Sequence, residues 1–121
     1  MKYLARVGLA CLLGLGYVAS ASAHAHLKAA EPGQNASVAA PNALSLHFTE
    51  GLELAFSGVS VTGPGQKAVP LGSAHTAAGD DATLVVPLSQ PLVPGVYTVD
   101  WHALAKDGHK TRGSYAFTVT Q

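Results

Sequence analysis

The chain has 121 residues, the length of one ordinary domain, and its seven Lys and Arg residues balance seven Asp and Glu residues to a formal net charge of zero. This balance argues against nucleic-acid binding, because phosphate contacts depend on many Lys and Arg side chains. The single Cys excludes an intramolecular disulfide framework and a zinc cage of thiolates.

The first segment of the chain, residues 1–23, has the pattern of a secretory signal peptide. Lys2 and Arg6 precede an apolar run over 7–18, and residues 19–23 supply the small side chains of an Ala-x-Ala cleavage site. The apolar run is too short to favour a transmembrane helix, and no second hydrophobic stretch follows it. The pattern therefore predicts export and removal of this segment.

Signal removal changes the composition of the chain that functions. A lipoprotein modified at Cys11 is not favoured, because a Gly stands three residues before it where such signals have Leu. We expect export with cleavage after Ala23, and one mature domain over 24–121 without a membrane span. Removing residues 1–23 leaves 98 residues with a formal charge of −2, because two basic residues and no acidic ones are lost. All six His remain, while Cys11 and Met1 are lost, so the mature chain offers imidazole but no sulfur ligand.

Short segments with alternating apolar residues, separated by Gly, Pro and Asn, predict an all-β domain. Strands are expected over 44–48, 57–62, 83–88, 96–104 and 114–120. Several short strands in about a hundred residues predict a small antiparallel sandwich or barrel. The expected core consists of the apolar residues Leu44, Leu46, Phe48, Phe56, Val59, Val61, Leu84, Val86, Tyr97, Val99, Trp101, Tyr115, Phe117 and Val119.

The mature N-terminus, His24-Ala25-His26, is the first candidate for metal chemistry. A free α-amine has a pKa of about 7.7–8.0, so a metal ion can displace its proton near neutral pH. The amine and Nδ1 of His24 can chelate one ion, and such nitrogen ligands suit Cu(II). The alternative interpretation is a His that signal cleavage exposes on a frayed terminus.

The second candidate is Asp107-Gly108-His109, between the two last predicted strands. Asp-Gly is a favoured hairpin turn, so a solvated turn is one interpretation. In the other, Asp107 and His109 point the same way and complete a four-coordinate site with His24. Glu50, at the end of a strand, is interpreted either as solvated or as an outer or axial oxygen ligand.

Three further histidines receive no functional assignment from the sequence. His47 lies on the polar face of its strand, and His102 has the opposite parity to the apolar residues of its strand. His75 lies in a loop rich in Gly, Ala and Ser. All three are expected at the surface, without a neighbour at metal-ligand spacing.

An ordered set of motifs resembles the CopC family of periplasmic copper-binding proteins. The match covers nearly all of the mature chain, which makes it more specific than any one motif. The motifs are His24-Ala25-His26-Leu27, Pro32, Ala39-Ala40-Pro41, Leu46-His47-Phe48-Thr49-Glu50-Gly51, Pro94-Gly95-Val96-Tyr97-Thr98-Val99-Asp100-Trp101, Asp107-Gly108-His109-Lys110 and Gly113-Ser114-Tyr115-Ala116-Phe117.

The resemblance implies a Greek-key β-sandwich or barrel of cupredoxin or immunoglobulin type, with about seven strands. It also implies one Cu(II) per chain, bound by the amine and imidazole of His24 and by Asp107 and His109. Glu50 matches a position at which some members bring a Glu near the copper. Some members also bind Cu(I) in a Met-rich loop, but the corresponding segment 63–81 has no Met. Since thioether sulfur selects Cu(I), the resemblance implies a short member that binds only Cu(II).

The function implied by the resemblance is non-catalytic copper homeostasis and resistance, in which the protein holds or delivers Cu(II). A CopD-type inner-membrane copper transporter is the implied partner. Two alternatives stay open: an oxidative copper enzyme with an N-terminal His chelate, and an immunoglobulin-like interaction module without a metal. A local alternative is a peptide site formed by the amine, two backbone amides and the His26 imidazole, which would not use Asp107 or His109.

Overall fold

The structure is a computed structural model that describes residues 25–121, so the predicted signal peptide and His24 lie outside the described residues. The described chain contains eight strands and two short 3₁₀ turns, Leu54–Phe56 and Pro64–Gln66. No helix in this part of the chain is long and apolar enough to cross a membrane. The strands are β1 (Leu27–Glu31), β2 (Ser37–Val38), β3 (Ala43–Phe48), β4 (Gly58–Thr62), β5 (His75–Ala77), β6 (Asp80–Pro87), β7 (Gly95–Leu104) and β8 (Lys110–Val119).

The eight strands between residues 25 and 121 form two four-stranded sheets, β1-β3-β6-β5 and β2-β8-β7-β4. Neighbouring strands are antiparallel, except that β2 runs parallel to β8. The two sheets enclose one hydrophobic core, which confirms the predicted all-β sandwich. The described residues have one strand more than the expected seven, and β2 contributes only two residues.

All five predicted strands are present, although two of them begin earlier than the alternation indicates. β6 begins at Asp80 and β8 at Lys110, and the first residues of both strands are exposed or polar. Such residues pair through the backbone without an apolar signal in the sequence. β1, β2 and β5 escaped prediction for the same reason, because most of their side chains are exposed or only half-buried.

Most of the predicted core is confirmed, and one prediction is wrong. Phe56 is 65% exposed, because it ends a 3₁₀ turn that lies outside both sheets. Val59 is half-buried and packs against the core. The predicted residues that are buried are Leu44, Leu46, Phe48, Val61, Leu84, Val86, Tyr97, Val99, Trp101, Tyr115, Phe117 and Val119.

Trp101 joins the two sheets and fixes the residue opposite it. Its ring meets that of Phe48 edge-on, with centroids 5.2 Å apart and an interplanar angle of 73°, a favourable aromatic geometry. Trp101 is paired across the ladder with Gly113. A Cβ at Gly113 would lie 2.5 Å from Trp101 Cζ2, so only Gly leaves room for the indole.

Two buried tyrosines differ in how their hydroxyl groups are satisfied. Tyr97 stacks on Phe117 at 5.6 Å, and its hydroxyl donates to the Val93 carbonyl at 2.6 Å. The Tyr115 hydroxyl is buried without a hydrogen-bond partner among residues 25–121. Burial raises the pKa of Tyr115 to about 12, since the charged phenolate would be desolvated.

The two tyrosines predict opposite effects of the same substitution. Tyr115→Phe removes an unsatisfied buried hydroxyl and is expected to raise the free energy of unfolding by up to about 1 kcal/mol. Tyr97→Phe is the matched control, and it is expected to lower the free energy by about 1 kcal/mol because a satisfied hydrogen bond is lost. Urea unfolding of both variants measures the difference. An equal loss in the two variants would contradict the assignment.

Candidate metal centre

The connection between β7 and β8 is a compact turn that carries Asp107 and His109. The Gly108 N–H donates to the Ala105 carbonyl at 2.8 Å, and the Ala105 N–H donates to the His109 carbonyl at 2.9 Å. Gly108 has a φ of 96°, a conformation that Gly adopts without the steric cost a Cβ would bring. The predicted Asp-Gly turn is therefore confirmed as the structural element.

Within this turn, Asp107 and His109 face each other. The His109 N–H donates to Asp107 Oδ1 at 3.0 Å, and His109 Nδ1 lies 3.2 Å from the same oxygen. The side chains are 36% exposed for Asp107 and 54% exposed for His109. A carboxylate and an imidazole thus lie side by side at the surface, and both are ligand types that Cu(II) accepts.

The turn is attached to two other parts of the chain. The Lys106 N–H donates to the Gly51 carbonyl at 3.0 Å, and Lys106 Nζ lies 2.8 Å from Asp81 Oδ2. The hydrogen bond to Asp81 raises the pKa of Lys106, because it stabilises the ammonium form. A Cβ at Gly51 would lie 2.8 Å from Asp81 Oδ1. The absence of a side chain at Gly51 therefore gives Asp81 the room to reach Lys106.

The described chain begins at the same end of the sandwich. Ala25 is fully buried, and its carbonyl accepts a hydrogen bond from Thr111 Oγ1 at 2.6 Å. The His26 N–H donates to Thr49 Oγ1 at 3.0 Å, and the Thr49 N–H donates to the His26 carbonyl at 2.9 Å. The chain start is thus held between the end of β3 and the beginning of β8.

The structure brings together part of the predicted ligand set. Asp107 and His109 are adjacent, whereas His24 lies outside the described residues and is bonded to the buried Ala25. Glu50 and His26 are both exposed. Among residues 25–121, no group of three or more His, Cys, Asp or Glu side chains is placed to hold a metal ion.

The expectation that the three remaining histidines lie at the surface is confirmed only in part. His75 is exposed, but it begins β5 and is not in a loop. His102 is exposed on β7 opposite Arg112, as a surface cross-strand residue. His47 is half-buried, with 32% of its side chain exposed, and its Nδ1 lies 3.0 Å from Thr83 Oγ1. His47 is therefore less exposed than expected, and its hydrogen-bond partner is on a strand 36 residues away in sequence.

Sequence reasoning also missed the residues that position the turn and the chain start. Thr111, Thr49 and Lys106 each contact a residue that is distant in sequence. The hydrogen bond between Thr111 and Ala25 joins residues 86 positions apart. A single Thr or Lys has no local pattern that indicates such a partner, so no signal in the sequence identifies these roles.

The protein is a two-sheet β-sandwich with an Asp-x-His turn near the start of the described chain. Known proteins share this combination. The family model described as the CopC domain matches residues 27–120. The chain therefore belongs to the CopC family.

Individual relatives agree with this assignment. The chain is 46% identical to Protein YobA of Escherichia coli (strain K12) over 115 residues, which cover 94% of this chain and 93% of YobA. It is 37% identical to Copper resistance protein C of Pseudomonas syringae pv. tomato, and the match covers 96% of this chain and 98% of that protein. The crystal structure of PcoC, a methionine rich copper resistance protein from Escherichia coli, superposes with a TM-score of 0.73 at 36% identity, covering 81% of this chain and all of PcoC. None of these names designates an enzyme.

The anchor at Ala25 predicts a specific loss of stability. Thr111→Val removes the donor to a buried carbonyl and is expected to lower the free energy of unfolding by about 1–3 kcal/mol. Thr111→Ser keeps the hydroxyl and is the matched control, expected to stay within about 1 kcal/mol of the wild type. Urea unfolding measures both variants. If Thr111→Val proved as stable as Thr111→Ser, the hydrogen bond would not be what fixes the chain start.

Proposed function

We propose that this protein binds one Cu(II) ion per chain in the periplasm and holds or delivers it without catalysing a reaction. The proposed ligands are the α-amine and imidazole of His24, the Asp107 carboxylate and the His109 imidazole. Membership of the CopC family supports binding of copper, and relatives named copper resistance proteins support a role in resistance. The observation that carries the ligand assignment is the Asp107–His109 pair at the end of the sandwich where the chain start is anchored.

The anchor limits how far the proposed His24 ligands are from the turn. Consecutive Cα atoms are about 3.8 Å apart, so the residue before Ala25 is attached close to the Ala25 position. Ala25 is hydrogen-bonded to Thr111, which follows His109 by two positions in the chain. An amine and an imidazole attached there would add two nitrogen ligands to one carboxylate oxygen and one imidazole. Four nitrogen and oxygen donors suit the tetragonal geometry of Cu(II).

The oxidation state follows from the donor atoms. The sequence has one Met and one Cys, Met1 and Cys11, and both precede the predicted cleavage site. A mature chain without thioether or thiolate has no ligand that selects Cu(I). PcoC, by contrast, is described as methionine rich. The copper that the protein is proposed to bind is therefore Cu(II).

Charge near the turn also supports binding of a cation. Lys106 lies next to Asp107 in the chain, and its ammonium group would repel a bound metal ion. The ion pair with Asp81 places a carboxylate 2.8 Å from that ammonium and so offsets its charge. The Asp107 carboxylate is the negatively charged ligand in the proposed set.

The peptide site at His26 is less compatible with the structure. That site would bind copper through the deprotonated backbone nitrogens of Ala25 and His26. The His26 N–H instead donates to Thr49 Oγ1 at 3.0 Å, and Ala25 is fully buried. Copper at the peptide site would therefore have to break the contact between the chain start and Thr49.

Delivery to a CopD-type inner-membrane transporter is part of the same proposal. The Asp107 and His109 side chains are 36% and 54% exposed. A partner could therefore approach the metal from solvent without opening the core. An oxygen-activating enzyme is not favoured, because the Asp107 carboxylate would occupy a coordination position that oxygen needs.

The proposed ligand set predicts which substitutions lower copper affinity. The exported protein is expected to begin at His24, which intact-mass determination measures directly. Titration with Cu(II) against a competing chelator should show that His24→Ala and His109→Ala each lower affinity by about 100-fold, or about 2.8 kcal/mol. His26→Ala is the matched control and should change affinity by less than about threefold.

Three outcomes would contradict the proposal. A mature start other than His24, or unchanged affinity in His24→Ala, would remove the chelate from the site. A large loss in His26→Ala with little loss in His109→Ala would favour the peptide site. Peroxide consumption above that of free copper would overturn the non-catalytic role.

A further inference from the structure

His47 lies at the end of a hydrogen-bond chain on the outer face of the β1-β3-β6-β5 sheet. Thr83 Oγ1 donates to Asp80 Oδ2 at 2.6 Å, and His47 Nδ1 lies 3.0 Å from Thr83 Oγ1. The hydrogen bond from Thr83, together with one from the Ala82 N–H, lowers the pKa of Asp80. Asp80 is therefore ionised at neutral pH and can only accept hydrogen bonds.

The hydrogen bonds from His47 through Thr83 to Asp80 determine which nitrogen of His47 carries a proton. The Thr83 hydroxyl has a single hydrogen, which it donates to Asp80. Toward His47 it can only accept, so His47 Nδ1 must be the protonated nitrogen. In the neutral imidazole, Nε2 then has the lone pair. Metal-bound histidines are commonly oriented in this way, with the other ring N–H donated to an oxygen acceptor.

A carboxylate lies on the side of the ring to which Nε2 points. Glu31 Oε1 is 3.9 Å from His47 Nε2. The strand register pairs Glu31 with Ser45 and Ala29 with His47, so Glu31 and His47 are diagonal neighbours across β1 and β3. Long side chains at such positions are within reach of each other. Glu31 is 79% exposed, so its carboxylate can move toward a shared ion.

The charges around His47 favour a cation. Glu31 and Asp80 are acidic, and Asp80 interacts electrostatically with both His47 and Lys28. Two carboxylates thus outweigh the one ammonium group nearby. Thr83 is almost fully buried, at 5% exposure, so the middle of the hydrogen-bond chain is shielded from water although its Asp80 end is exposed.

We propose that His47 Nε2 and the Glu31 carboxylate form an accessory site for one borderline divalent cation, Zn(II) or Cu(II), completed by water. Imidazole and carboxylate are both ligands of such ions. The site shares no ligand with the proposed copper centre. No third His, Cys, Asp or Glu side chain in residues 25–121 completes either group, so the accessory site has two protein ligands and binds its ion more weakly than the four-donor centre.

The test is a calorimetric titration of Zn(II) into full mature protein that already holds one equivalent of Cu(II). Cu(II) stands above Zn(II) in affinity for nitrogen and oxygen ligands, so Zn(II) does not displace it. One Zn(II) per chain is expected. His47→Gln should lower the Zn(II) affinity by about tenfold or more, and Glu31→Gln should lower it as well.

A matched pair at Thr83 separates an oriented ligand from an ordinary surface histidine. Thr83→Val removes the acceptor for Nδ1 without touching the ion, and it should lower Zn(II) affinity by about 10–100-fold. Thr83→Ser retains the hydroxyl and should restore the affinity to within about twofold. His75→Gln and His102→Gln change other exposed histidines and should leave the titration unchanged. Circular dichroism checks that every variant is folded.

Each contrary result overturns the accessory site. Absence of Zn(II) binding by the wild type, unchanged binding in His47→Gln, or equal binding in Thr83→Val and Thr83→Ser would each do so. The copper proposal fails independently, because its failure appears as unchanged Cu(II) affinity in His109→Ala. Zn(II) titration of copper-free His109→Ala protein against the His47→Gln/His109→Ala double variant then tests the accessory site, because the two proteins differ only at His47.

Discussion

The ladder between β7 and β8 is the constraint on which the rest of the structure depends. It pairs ten residues of each strand without interruption, from Gly95 opposite Val119 to Leu104 opposite Lys110. A one-residue shift would move every side chain to the opposite face, so this register determines the inner face of one sheet. It also places the Asp107–His109 turn at the end of the ladder and Thr111 beside the chain start. The register of β7 and β8 therefore determines both the core and the position of the candidate metal centre.

Parts of the chain that are distant in sequence meet at this end of the sandwich. The chain start is held by Thr111 and Thr49, and the turn is held by the Gly51 carbonyl and by Asp81. The ion pair between Lys106 and Asp81 is exposed, so it adds little to the stability of the fold. Its effect is on position and charge, since it holds the Lys106 ammonium against the Asp81 carboxylate.

The sequence predicts the elements that bury apolar side chains and misses those that do not. Alternation located β3, β4 and β7 because their inward residues form the core. Phe56 was wrongly assigned to the core, because its residue type does not distinguish an apolar residue in a short turn from one that packs in a sheet. The Asp-x-His turn was found from two residues only two positions apart. Hydrogen bonds such as that of His47 to Thr83 depend on strand order and register, which one sequence does not specify.

The position of the candidate ligands separates metal binding from folding. Asp107 and His109 are surface residues, and neither belongs to the core of buried apolar side chains. Small metal-dependent domains, by contrast, derive much of their folding free energy from the bound ion. In this sandwich the core consists of buried apolar side chains, so its packing does not depend on the exposed Asp107–His109 pair. A metal ion bound at this surface pair could then be exchanged without unfolding the core, which agrees with the proposed role in holding or delivering copper.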